Sequence, residues 1–126
     1  MDEINQYLLC FKDKLSSNNF PTNEDFAKSN YEYAQMLSAI GNFHEALKYY
    51  EIAYRKMASV KTSEIWKSMY CSIGVQYANI LDYEGKIEDA NTIFEDIILV
   101  NPKGVHIGDY ALFLHRRKRQ FDQAEK

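Results

Sequence analysis

Residues 34–50 read AQMLSAIGNFHEALKYY and residues 78–94 read ANILDYEGKIEDANTIF. Superimposed on Gly41 and Gly85, the two stretches agree in kind at five offsets: Ala34 with Ala78, Leu37 with Leu81, Phe43 with Ile87, Ala46 with Ala90, and Tyr50 with Phe94. In each, apolar residues recur every three or four positions on both sides of the glycine, which is the spacing of one helical face. A glycine between two such stripes ends the first helix, because it tolerates the left-handed backbone that a chain reversal needs. An Ala on each side of the turn lets two helices approach to about 8–10 Å. Each stretch is therefore expected to form an antiparallel helix hairpin.

On the N-terminal side of the first stretch, Thr22 and Asp25 have the spacing of a capping box, and Phe26, Tyr33, Leu37 and Ile40 stripe a helix from about Asn23 to Ile40. Phe43, Ala46, Leu47, Tyr50 and Ala53 stripe its partner toward Met57. Thr62 or Ser63 is the natural cap of the next helix, which Trp66, Tyr70, Ile73, Tyr77 and Leu81 carry to Gly85. The helix opening at Ile87 stops at Asn101 and Pro102, and a further apolar segment runs from Val105 to about His115. At the other end, Asp2 caps a helix over Glu3–Leu15 striped by Ile4, Tyr7, Leu8 and Phe11, and Pro21 separates it from the helix that opens at Asn23.

The small residues at the crossings, the glycine between paired helices and Pro102 closing the second unit resemble the tetratricopeptide repeat family. That resemblance implies an all-α fold, a right-handed α-solenoid of antiparallel helix pairs. It divides one domain of 126 residues into an N-terminal helix and loop (1–20), a first repeat (22–60), a second (61–104) and an incomplete third (105–126). The third turn falls at Arg119, with Phe121 and Ala124 at the matching offsets. Gly41 and Gly85 are 44 positions apart, whereas Gly85 and Arg119 are 34 apart, the ordinary repeat length. The additional residues fall around Lys61–Tyr70, where Ile65, Trp66 and Met69 predict a longer first helix, as in kinesin-light-chain-like repeats.

Composition bounds the function. Hydrophobic residues make up 46% of the chain, and with 5 Gly and 2 Pro it lacks the punctuation of a many-stranded β fold. A net charge of −3 argues against a mainly electrostatic nucleic-acid or membrane-surface binder. No apolar run approaches the roughly 20 residues of a membrane span, and no secretory signal opens the chain, so a cytoplasmic location is expected. Cys10 and Cys71 are read as small buried thiols in a reducing compartment.

His44, His106 and His115 lack metal-ligand spacing, no phosphate-binding glycine loop occurs, and neither a metal nor a cofactor is expected. Glu24 with Asp25 and Glu88 with Asp89 open predicted helices, where negative charge complements the helix dipole, so no catalytic residue is assigned. The run Arg116–Arg119 could be a nuclear-localisation or nucleic-acid patch, but it also falls in the last turn of a predicted helix, where cations are favoured, and that reading is preferred.

An interaction module is what the family resemblance implies, with a protein or peptide partner in the concave groove lined by the first helix of each pair. The groove positions are Tyr31, Gln35, Ser38, Gln76, Asn79, Tyr83, His106, Tyr110 and Phe113. Gln35, Gln76 and Asn79 can each donate to and accept from the backbone of an extended peptide. The family's carboxylate-clamp positions hold Tyr31, Gln35, Gln76, His106 and Tyr110, so acidic chaperone tails are not expected to bind. The alternative is a structural or oligomerising segment of a larger helical assembly, including a homodimer formed through the uncovered face of the incomplete third repeat.

Overall fold

Gly41 and Gly85 take φ of 85° and 83°, the left-handed region that glycine enters without a Cβ penalty. Around each, the same pair of bonds closes the preceding helix. Gly41 N–H donates to Ser38 at 3.0 Å and Asn42 N–H to Leu37 at 2.8 Å, while Gly85 N–H donates to Asp82 at 3.0 Å and Lys86 N–H to Leu81 at 2.8 Å. This is the Schellman arrangement, which satisfies carbonyls that a helix end would leave unpaired.

The computed structural model describes residues 3–16, 22–60, 63–102 and 106–124, and all their regular elements are helical. They are α1 (Glu3–Ser16), α2 (Asn23–Ala39), α3 (Phe43–Met57), a 3₁₀ turn (Ala58–Val60), α4 (Lys67–Tyr83), α5 (Ile87–Val100) and α6 (His106–Ala124). The capping box forms as expected: Thr22 Oγ1 accepts from Asp25 N–H at 3.1 Å and donates to the Asp25 carboxylate at 3.0 Å. Glu24 and Asp25 lie in the first turn of α2, and Glu88 and Asp89 in that of α5.

Helices α2 and α3 form one hairpin and α4 and α5 another, with α3 packed on α4 and α6 resting on both α4 and α5. Ala34, Ala46, Ala78 and Ala90 are all fully buried, as their offsets from the turns predict. One core joins Leu8 and Leu15 of α1 to Tyr33, Leu37 and Tyr50, and a larger one runs from Tyr54 and Met57 through Tyr70 and Ile73 to Phe94, Ile97 and Phe113.

Five expectations fail. The third turn at Arg119 does not form, and α6 continues unbroken to Ala124. Both observed reversals use a glycine at positive φ, and an Arg in that conformation costs roughly 1–2 kcal/mol, so continuing the helix is cheaper. Arg116 and Arg117 therefore lie within α6 rather than in a last turn. The residues between the two hairpins do not lengthen α4, since α2 and α4 are 17 residues each. They form the 3₁₀ turn and a hydrogen-bonded bend at Ser63, whose hydroxyl accepts from Ile65 N–H at 3.3 Å and leaves the Ile65 side chain exposed. Ser63 thus caps a local bend instead of α4, which starts at Lys67 with no side-chain cap. Cys10 is exposed, because α1 buries the Leu8 and Leu15 stripe and Cys10 lies off it. Asp2 and Thr62, read as caps, lie outside the described residues.

One crossing residue is not an alanine. A Cβ on Gly74 would stand 2.5 Å from Ile97 Cγ2 and 3.2 Å from Tyr54 Cε1, whereas one on Gly108 in α6 would meet nothing within 4 Å. Overpacking of this kind costs about 1–3 kcal/mol, and the better helix propensity of Ala returns up to about 1. Gly74→Ala is accordingly expected to lower the melting temperature by several degrees, while Gly108→Ala raises it. Thermal denaturation followed by circular dichroism checks the pair, and equal stabilisation by both would contradict the α4–α5 crossing.

Candidate functional site

Tyr31, Gln35 and Ser38 recur at i, i+4 and i+7 on α2, so their side chains share one face. Gln76 stands opposite them on α4. Its amide Nε2 donates to Tyr31 OH at 2.5 Å, and its Oε1 accepts from Gln35 Nε2 at 3.3 Å and from Tyr50 OH at 3.1 Å. Tyr50 OH and Ser38 Oγ also share a hydrogen bond of 3.3 Å. Burial holds the Tyr31 and Tyr50 phenols above their ordinary pKa, so both stay neutral, Tyr31 accepting from Gln76 and Tyr50 donating to it. Four of the nine expected groove residues thus meet in one network, which also fixes α2 beside α4. Gln76 is less open to a peptide backbone than its position suggests, because its oxygen already accepts twice.

The next turns of α4 open outward. Asn79, Asp82 and Tyr83 form one wall of a cleft of about 460 Å³, and Asp109, Leu112 and Arg116 of α6 form the other. Arg116 Nη2 reaches Asp82 Oδ2 at 3.1 Å across it. Tyr83 is 71% exposed and rests on the ring of Phe43, with centroids 4.7 Å apart. Tyr83 is exposed and Asn79 half-buried, and both line the cleft.

Tyr110 and Phe113 do not. Phe113 is 1% exposed and packs on Phe94 with centroids 5.1 Å apart. Tyr110 stacks on Phe94 at 5.3 Å and donates its hydroxyl to Asn91 Oδ1 at 2.9 Å, turning toward α5. The side chain of His106 lies outside the described residues. The expected register on α6 depends on a turn at Arg119 that does not exist, and burying the Phe113 ring, with the half-buried Tyr110 stacked on Phe94, outweighs presenting both to solvent. Residues one position earlier, Asp109, Leu112 and Arg116, take the open side.

Those three and Asp82 were missed by sequence reasoning. Nothing in the sequence singles out this pair, because the 34-residue offset between Asp82 and Arg116 also relates Asn79 to Phe113, which is buried.

A second polar cluster sits inside the hairpins. The hydroxyls of Tyr54 and Tyr70 both donate to Asp96 Oδ2. Burial, reinforced by hydrogen bonding to the Asp96 carboxylate, raises both phenols above the usual tyrosine value. Beside them, Cys71 Sγ donates to the carbonyl of Ile97 at 3.6 Å, and burial followed by the Asp96 charge pushes its pKa up to about 11. A thiol so held is a poor nucleophile at neutral pH, and the cluster reads as a bracket between α3, α4 and α5.

Among the described residues no three His, Cys, Asp or Glu side chains gather into a metal-binding group, and no helix is long and apolar enough to cross a membrane. Scans of family models, of curated proteins and of solved structures return no match to this chain.

Proposed function

We propose that this chain is a tetratricopeptide-like interaction module that holds an extended segment of a partner protein against α2, α4 and α6. The observation that carries the reading is the alignment of these three helices. Gln35 and Tyr31 tie α2 to α4 through Gln76, and Arg116 ties α6 to α4 through Asp82. Asn79, Tyr83 and Leu112 line one cleft between α4 and α6, and Gln35 is exposed on α2 beside Gln76 of α4, which supports reading the three helices as one binding side. Repeated in the same sense, such pairs build the right-handed solenoid that the sequence resemblance implies. The surface is polar with scattered apolar contacts, suited to backbone hydrogen bonding of an extended chain.

Selection from a random-peptide display library tests this. Enriched peptides should lose roughly tenfold in affinity, about 1.4 kcal/mol, on combined Asn79→Ala and Tyr83→Ala, and be unaffected by Thr92→Ala on α5. Asn79 is half-buried and Tyr83 touches Phe43, so the circular dichroism and melting temperature of the double variant are measured alongside binding to separate a lost contact from a lost fold. No enrichment over a blank surface, or equal binding to all variants, would count against the groove.

A structural or self-associating role is the second reading, favoured by one observation: Ile107, Leu112 and Leu114 of α6 are 41%, 61% and 45% exposed. Light scattering separates the two readings, since a stable dimer that Leu114→Glu dissociates supports self-association.

A further inference from the structure

Resting on the groove reading, we infer that the α4–α6 cleft takes a cationic side chain, Arg or Lys, from the bound segment, and that Arg116 is an internal competitor for the same seat. The cleft is lined by two carboxylates, Asp82 and Asp109, and one guanidinium, Arg116, together with the amide of Asn79 and the phenol of Tyr83. Arg116 bridges to Asp82 alone, and its side chain is 53% exposed. The Asp82 side chain is 17% exposed, so the carboxylate is held in the cleft while the guanidinium end stays open to solvent, where water and salt screen it and an incoming cation can replace Arg116. Asp109 has no ion pair or hydrogen bond among the described residues, and the described lining carries two carboxylates against one guanidinium.

The rest of the lining suits the same occupant. A planar guanidinium binds a carboxylate through two parallel hydrogen bonds. The exposed Tyr83 ring offers a π face to a cation, and Leu112 together with that ring can cover an aliphatic stem. An anionic residue would face both carboxylates and meet a guanidinium already paired. Farther along the groove, Tyr31, Gln35, Ser38 and Gln76 are neutral and supply no competing charge preference.

The test uses capped pentapeptides with a central Arg, Ala or Glu flanked by alanines, titrated into the isotope-labelled protein by NMR. The Arg probe is expected to shift Asn79, Asp82, Tyr83, Asp109, Leu112 and Arg116, and to bind roughly fivefold more tightly than the Ala probe. Added salt should erode that advantage. Asp82→Asn combined with Asp109→Asn should abolish it, and Arg116→Gln should tighten the Arg probe about threefold by removing the competitor. Arg and Ala probes binding equally would overturn the inference and leave the groove standing. The Glu probe binding best, or Arg116→Gln weakening the Arg probe, would also overturn it by making Arg116 the recognition group. No shift with any probe at millimolar concentration overturns it as well, and the groove reading falls with it only if the display selection is also empty.

Discussion

Phe94→Ala is expected to destabilise the protein by about 3–5 kcal/mol, the usual cost of emptying a buried aromatic site. The Phe94 ring is fully buried on α5 and meets Tyr110 at 5.3 Å and Phe113 at 5.1 Å on α6. Removing it leaves two α6 rings facing a void that neither can fill without shifting the helix. Small domains have about 5–15 kcal/mol in total, so a large share of the native stability rests on this side chain. In urea the unfolding midpoint should fall steeply, and the melting temperature should drop by more than about 10 °C. Phe43→Ala provides the contrast, because Phe43 is only half-buried and its ring partner Tyr83 is exposed. A loss under about 1 kcal/mol for Phe94→Ala would mean that α6 does not dock on α5 as described.

Asp96→Ala should cost about 2–4 kcal/mol. Tyr70 is 1% exposed and Tyr54 9%, and both hydroxyls donate to this carboxylate. A buried hydroxyl that loses its acceptor costs about 1–3 kcal/mol, and both phenols lose this carboxylate at once, although they also hydrogen-bond to each other. Asp96→Asn should recover part of the stability, since the amide oxygen can still accept one of the two bonds. The same tyrosines predict an alkaline limb. Their folded pKa values are raised above the unfolded value near 10, so above that pH the unfolded chain releases protons that the folded chain keeps. Their contribution is fully present below about pH 10 and is lost as pH rises beyond it, by about 1.4 kcal/mol per pH unit for each tyrosine. Chemical denaturation between neutral pH and pH 11 measures both effects. A flat profile, or Asp96→Ala as stable as wild type, would mean that the two phenols do not depend on this carboxylate.

The hairpins were legible because their signals are local. Gly41 and Gly85 mark the reversals, and Ala34, Ala46, Ala78 and Ala90 mark the crossings by their offsets from those glycines. Where no glycine stands, at Arg119, the same template misplaces a turn and with it the register of α6. Tyr110 and Phe113 are then aimed into the groove, although large aromatic rings at helical spacing are more often core than contact surface. Gly74 carries a tertiary message that helical periodicity does not contain, since its need for a bare Cα comes from Ile97 on the next helix. Asp96 is similar: as one acid on an amphipathic helix it reads as solvated, and only the folding of α3 and α4 brings two phenols to it. The Tyr31, Gln35, Ser38 and Gln76 network is legible through the i, i+4, i+7 pattern on α2 and its counterpart on α4, where both helices lie in the correct register.

Locating a bound peptide on the labelled protein tests the groove itself. A library-selected peptide carrying a nitroxide at one end broadens NMR resonances of nearby nuclei. Broadening is expected to run along α2, α4 and α6 through Gln35, Asn79, Tyr83 and Leu112, and to leave Thr92, Glu95 and Leu99 on the exposed side of α5 sharp. Broadening centred on those three α5 residues, with the α2, α4 and α6 resonances unchanged, would contradict the groove.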